Sequence, residues 1–175
     1  AMKQDTGDNM NISASNTLSI RQFYGDNRNL VSKANRKDQS TGKLADADVR
    51  ALKRAASKLS DFNYEEASAT EMYEKLKAFA DTYNYTLESG KNYSSENSYV
   101  KRAVKELKNL TAQYADELKS YGFSVDSEGY LSVSDSAVNN ISGSTFSEMF
   151  GKDSEYMGKL SEVAKKYSRH IDLYL

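Results

Sequence analysis

Residues 98–135, SYVKRAVKELKNLTAQYADELKSYGFSVDSEGYLSVSD, hold the two features on which the fold turns. Val100, Val104, Leu107, Thr111, Tyr114, Leu118 and Tyr121 recur at alternating steps of four and three, the spacing that lines one face of an α-helix. That period predicts one continuous helix over 100–121, closed by Gly122. Beyond it, Phe123 to Val125 and Tyr130 to Val133 alternate as short strands around Asp126-Ser127-Glu128-Gly129, a type I turn with glycine in the left-handed position. An EF-hand calcium loop is the rival. With Gly129 at its sixth position, Ser124 stands first and Asp135 twelfth, where an aspartate and a glutamate long enough to bind through both oxygens are required. A hairpin over about 123–133 fits better. A ribbon this small is marginal alone and must lean on helices through Phe123, Val125, Leu131 and Val133.

Working outward, every long segment repeats the helical period. Residues 1–16 are polar and read as a frayed tail, and 17–175 as a single helical domain. A first helix is expected after Asn16 to about Asp38, with Leu18, Phe23, Leu30, Val31 and Ala34 inward and a break available at Gly25-Asp26-Asn27. Gln39 to Gly42 reads as a loop. From Asp46 a second helix turns Val49, Leu52, Ala56, Leu59 and Phe62 inward, with Arg50, Lys53, Arg54 and Lys58 largely outward. Ser68-Ala69-Thr70-Glu71 has the form of a capping box, and the third helix it opens carries Met72, Leu76, Phe79, Tyr83 and Leu87 to a glycine cap at Ser89-Gly90. The third and fourth helices are expected to be antiparallel neighbours joined by Lys91 to Ser95. Ser134 is placed to cap a short helix with Val138 and Ile141, Thr145 with Glu148 to cap another ending at Phe150-Gly151, and Ser154 to begin the last helix. Met157, Leu160, Ala164, Tyr167, Ile171 and Tyr174 form the seam of that helix. The expected fold is mostly α: an antiparallel bundle of about four long helices plus one small β-hairpin.

Composition narrows the function classes. The chain of 175 residues has no proline, and no cysteine to supply a disulfide, a thiolate nucleophile or a thiolate metal site. Its 24 basic and 25 acidic residues are interspersed, without the phosphate-neutralising stripe that nucleic-acid binding requires. No apolar run approaches the roughly 20 residues of a membrane span, and Ala1 to Met10 lacks the hydrophobic segment of a cleaved leader.

Several short motifs occur in a fixed order from Phe79 to Gly151. Phe79, Tyr83 and Asn84 are followed by Leu118, Gly122, Phe123, Asp126, Gly129, Leu131 and Val133, then by Val138 and Ile141, then by Met149-Phe150-Gly151. This order resembles the C-terminal helical region of the flagellar filament-capping protein, the hook-associated protein at the filament tip. The final helix from Glu155 to Leu175 is similar to that family's return helix. The resemblance covers residues 79–175; residues 1–70 match none of the family's β-rich heads, and family members are much longer. It implies an extracellular, structural, secreted component of the bacterial flagellum, acting by self-association and contact with flagellin-like subunits.

No catalytic constellation is evident. His170 is the only histidine and stands near a helix C-terminus, where positive charge is favourable; no serine sits in a nucleophile elbow. Glu65-Glu66 and Asp46/Asp48 read as helix-start acids. Tyr83, Tyr114, Tyr121 and Tyr167 fall on apolar seams, whereas Tyr24, Tyr64, Tyr85, Tyr93, Tyr99 and Tyr130 lie nearer loops or seam edges, where tyrosine serves interfaces. Glycosylation sequons such as Asn84-Tyr85-Thr86 and Asn109-Leu110-Thr111 read as coincidence in a chain rich in Asn and Ser, and Lys101, Arg102, Lys105 and Lys108, interleaved with Glu106, as a solvated face. The expected partner contacts are the edges of the last helix and the chain end, Tyr167, Ile171, Leu173, Tyr174 and Leu175. No cofactor and no metal is expected, and the chain reads as a homo-oligomer and not as an enzyme. The alternatives are a cytosolic helical binding module or export chaperone holding a partner helix in a groove, and then a cell-surface adhesion module.

Overall fold

A computed structural model describes residues 17–172, with side chains from Ile20 to Ile171. The chain is mostly helical with one two-stranded antiparallel sheet. In order it forms α1 (Thr17–Tyr24), a 3-10 segment (Gly25–Val31), α2 (Lys33–Arg36), α3 (Thr41–Ser60), α4 (Ala69–Tyr93), α5 (Ser98–Gln113) and α6 (Ala115–Lys119). Then follow β1 (Phe123–Val125), β2 (Leu131–Val133), α7 (Asp135–Asn139), a 3-10 turn (Gly143–Thr145), α8 (Phe146–Phe150) and α9 (Glu155–Asp172). The expected tail over 1–16 lies outside the described residues.

The long helices α3, α4, α5 and α9 form the bundle. Gly42 meets Tyr93, Lys166 meets Glu106 at 3.1 Å, and the Tyr167 hydroxyl donates to the Thr86 carbonyl at 3.1 Å. The first contact joins the start of α3 to the end of α4, and Tyr99 on His170 with Tyr114 on Glu155 joins opposite ends of α5 and α9, so both pairs are antiparallel. The most extensive contacts are α3 on α4 and α5 on α9, while α4 and α5, the expected neighbours, also touch. Val49, Leu52, Leu76, Phe79, Tyr83, Val100, Leu107, Leu160 and Tyr167 fill the interior between them.

Several local expectations hold. The Ser68 hydroxyl accepts from the Glu71 N–H at 3.1 Å while Glu71 accepts from the Ser68 N–H at 3.2 Å, closing the capping box. Ser134 accepts from the Ala137 N–H at 3.2 Å, and Ser154 from the Met157 N–H at 3.1 Å. The hairpin pairs Phe123 with Val133 and Val125 with Leu131. Gly129 donates to the Asp126 carbonyl at 3.0 Å with φ +92, a conformation costly to any side chain.

Other expectations are corrected. The rod over 100–121 is broken at Tyr114, whose φ −101 and ψ 11 leave the helical region between α5 and α6. Neither glycine nor proline marks the break. It sits where Tyr114 donates to Glu155 and packs on the Tyr156 ring at 5.2 Å, so contacts with the first turn of α9 set it. The expected helix to Asp38 ends at Tyr24, because Gly25 turns to φ +55, and Ala34 is exposed. The loop expected over 39–42 ends sooner: α3 starts at Thr41, capped by Ser40, whose hydroxyl accepts from the Lys43 N–H. Thr145 makes no side-chain cap for α8.

Gly90 is no cap either: α4 runs on to Tyr93. A Cβ at Gly90 would lie 2.4 Å from the Tyr167 hydroxyl and 2.5 Å from Val104 Cγ2, so this glycine lets α4, α5 and α9 approach. At Gly158 of α9 a Cβ would meet nothing within 4 Å. Alanine gains about 1 kcal/mol of helix propensity over glycine at either site, but overpacking costs about 1–3 kcal/mol. Denaturant melts should therefore show G90A destabilised and G158A stabilised, a difference in sign that propensity alone does not give.

Candidate functional site

Helix α4 is buried along almost its whole length between Leu76 and Gly90, with only Glu88 part-exposed. A helix buried all round is ordinarily apolar, yet this one carries Lys77, Asp81, Thr82, Asn84, Thr86 and Ser89 inside. Each must find a partner, because a buried polar group left unpaired costs about 1–3 kcal/mol. Thr82, Thr86 and Ser89 solve this locally by donating to carbonyls one turn back, at 3.1, 2.8 and 2.9 Å. Asn84 solves it across the fold. Its Nδ2 donates to the Leu131 carbonyl at 2.8 Å and its Oδ1 accepts from the Leu131 N–H at 2.8 Å. The side-chain amide thus acts as an extra strand partner for β2 and pins the hairpin to α4.

The hairpin is held on either side of this clamp. Tyr130 donates to Glu88, and the Lys108 side chain covers Gly129. Within the turn, Asp126 Oδ1 accepts from the Glu128 and Tyr130 N–H groups at 2.9 and 3.0 Å, so this oxygen serves the backbone. Beneath it Phe123 packs on Phe150 at 5.3 Å, and Phe150 on Phe79 at 6.0 Å. The motif residues Asn84, Asp126, Gly129 and Leu131 are therefore brought together as one junction, with Gly122 (φ +89) turning the chain into it. Tyr83 lies inside, facing Thr111 and Tyr156; its hydroxyl meets no partner at hydrogen-bonding geometry among the described residues, and burial pushes its pKa well up.

One turn before Asn84, Asp81 is fully buried and paired with Lys77 at 2.7 Å, while its Oδ2 has no partner among the described residues. Burial raises the Asp81 carboxyl to about 6, against the opposing pull of Lys77.

A second polar knot fastens the N-terminal segment. Arg36 grips Asp48 through two bonds of 2.9 and 2.6 Å, Tyr24 donates to Asp48 at 2.8 Å, and the guanidinium lies 4.1 Å over the Tyr85 ring. Asp48 is thus a buried ion-pair member and not a helix-start acid. Sequence reasoning missed this set because 12 residues separate Arg36 from Asp48 and neither stands in a motif.

The expected contact residues fall otherwise. Tyr167 and Ile171 are fully buried, since the seam of α9 faces the bundle, which removes them as surface contacts; Leu173, Tyr174 and Leu175 lie outside the described residues. Of the six loop-edge tyrosines, Tyr24, Tyr64, Tyr85, Tyr93 and Tyr130 are buried and Tyr99 alone is exposed, at 53%. Tyr99 stacks on His170 at 4.3 Å with Arg102 over its ring, a closure of the bundle end reinforced by Asn97 donating to the His170 carbonyl.

No family model matches the chain, and no curated protein or solved structure matches it significantly. Among the described residues, no group of three or more His, Cys, Asp or Glu side chains could hold a metal ion, and no helix is long and apolar enough to cross a membrane.

Asn84→Ala leaves the Leu131 N–H and C=O unpaired beneath the hairpin, and should cost about 2–4 kcal/mol. Hydrogen exchange at Leu131 should accelerate more than exchange in α3, which separates loss of the clamp from general loosening. For Asp81, a folded-state pKa raised above the ordinary value of 3.8 means that the folded protein binds the proton more tightly than the unfolded chain. The contribution of Asp81 to stability therefore rises as pH falls through about 6, is complete below the ordinary value, and is lost as pH rises again. Melts from pH 7 to 4 should show wild type gaining stability near pH 6 relative to Asp81→Asn.

Proposed function

We propose that this chain is a structural, non-catalytic module similar to the helical domain of the bacterial flagellar filament cap, working outside the cell by self-association and contact with flagellin-like subunits. The observation that supports this best is the Asn84 clamp on Leu131. It unites residues of two motifs 47 positions apart, on which the resemblance rests, into one rigid junction between a long helix and the hairpin. The interior chemistry points the same way. Asp48, Asn84 and Thr86 each serve a named bond within the fold, and His170 is stacked on Tyr99. Such bonds rigidify a scaffold.

An export chaperone that holds an amphipathic helix needs an apolar groove. The open groove between α3 and the start of α9 sets Lys53, Lys152, Lys165, Asp61 and three serines around Ala56 and Met157, so charged groups interrupt the apolar floor that such a helix would need. The two readings differ in solution behaviour. Light scattering across micromolar to millimolar protein should show reversible self-association, and the protein should co-sediment with a flagellin-type filament. A monomer at every concentration that instead binds an isolated amphipathic helix would transfer the assignment to the chaperone.

A further inference from the structure

The groove between α3 and the start of α9, about 340 Å³ in volume, is walled by one face of each helix. Lys53, Ser57 and Ser60 stand at successive turns of α3, and Gly158, Ser161 and Lys165 at successive turns of α9, the three-and-four spacing that brings side chains onto one stripe. Lys152 joins them from the turn before α9, and the buried Ala56 and Met157 form the floor. Asp61, the C-cap of α3, is the one carboxylate on the lining.

Gly158 keeps the groove open. Glycine is the poorest helix former after proline, and packing within the chain does not ask for it here: position 158 is helical and a Cβ there would meet nothing within 4 Å. Gly90, by contrast, is required by the crossing of three helices. A side chain at 158 would instead project along the groove, and a glycine of this kind lets another molecule approach the backbone closely.

The lining selects the ligand. Three ammoniums and one carboxylate leave a net charge of +2. Since α3 ends where α9 begins, Asp61 and Lys152 offset one another at that end, and the excess sits two turns away at the half-buried Lys53 and at Lys165. Ser57 and Ser161, whose hydroxyls make no hydrogen bond among the described residues, add donors between them. Lysine holds phosphate as a point charge, and a phosphate monoester brings about −1.5 to −2 charge and three acceptor oxygens at neutral pH. We infer that this groove binds a small organic phosphate monoester, its phosphate between Lys53 and Lys165 and its organic part over Ala56, Met157 and the bare backbone of Gly158. The inference does not rest on the structural role proposed above.

Phenyl phosphate is a suitable probe, titrated into the isotope-labelled chain and followed by amide NMR beside phenol and inorganic phosphate. Phenyl phosphate should shift the amides of 53–61 and 151–165 saturably, phenol should not, and inorganic phosphate should bind roughly tenfold or more weakly because it leaves the floor uncovered. K53Q/K165Q should weaken phenyl phosphate roughly tenfold or more by removing the excess charge. G158Q keeps every charge and favours the helix, yet should weaken it as much by filling the groove; circular dichroism checks that both variants fold. Absence of saturable binding would overturn the site. So would inorganic phosphate binding as tightly as its phenyl ester, or G158Q binding like wild type, since either result is that of diffuse attraction to surface lysines.

Discussion

The burial of α4 on every side is the constraint from which the rest of the structure follows. A helix of 25 residues whose middle carries amides, hydroxyls and an ion pair can be enclosed only if each polar group is met. Where a hydroxyl can reach the carbonyl one turn back, nothing else is asked of the fold. Asn84 cannot be met that way, and its two bonds dictate where β2 lies and in which register. Tyr85, on another face, donates to the Val31 carbonyl at 3.1 Å and so dictates where the N-terminal segment lies.

Enclosure also explains why the neighbours differ in character. Ala47, Ala51 and Ala55 on the outer face of α3 let Ile20, Phe23 and Leu30 come close, while the larger Val49, Leu52 and Leu59 fill the bundle. The Arg36–Asp48 pair lies at the junction of α2 and α3. A buried pair of this kind seldom adds much net stability, because desolvation offsets its attraction, but a segment docked out of place would strand one charge. We take its role to be positional. At the opposite corner, Gly90 sets the closest approach of three helices, and the Tyr114 break gives the end of the fifth segment the offset that the first turn of α9 requires.

The chemistry of the molecule is divided between an occupied interior and an unsettled surface. Inside, among the described residues, the Arg36–Asp48 and Lys77–Asp81 pairs and most tyrosine hydroxyls are met within the fold, while the Tyr83 hydroxyl and one Asp81 oxygen are not. Outside, the end of α3 borders one groove lined by Lys53, Lys152, Lys165 and Asp61 and another lined by Lys58, Asp61, Glu66 and Glu71.

The sequence by itself determined what is local. The period of the apolar residues placed the long helices, Ser68 with Glu71 marked a helix start to the residue, and Asp126 with Gly129 marked the hairpin turn, because these signals act within a few bonds of the residues that carry them. Only the tertiary structure decided that Tyr24, Tyr64, Tyr85, Tyr93 and Tyr130 are interior, that Tyr167 and Ile171 face inward, that Tyr114 breaks a rod and that Gly90 is a crossing point. An apolar stripe reports that a face will be covered but not by what, and a tyrosine at its edge is buried or exposed according to a helix dozens of residues away. Those outcomes depend on contacts formed when the helices meet, which no local pattern encodes.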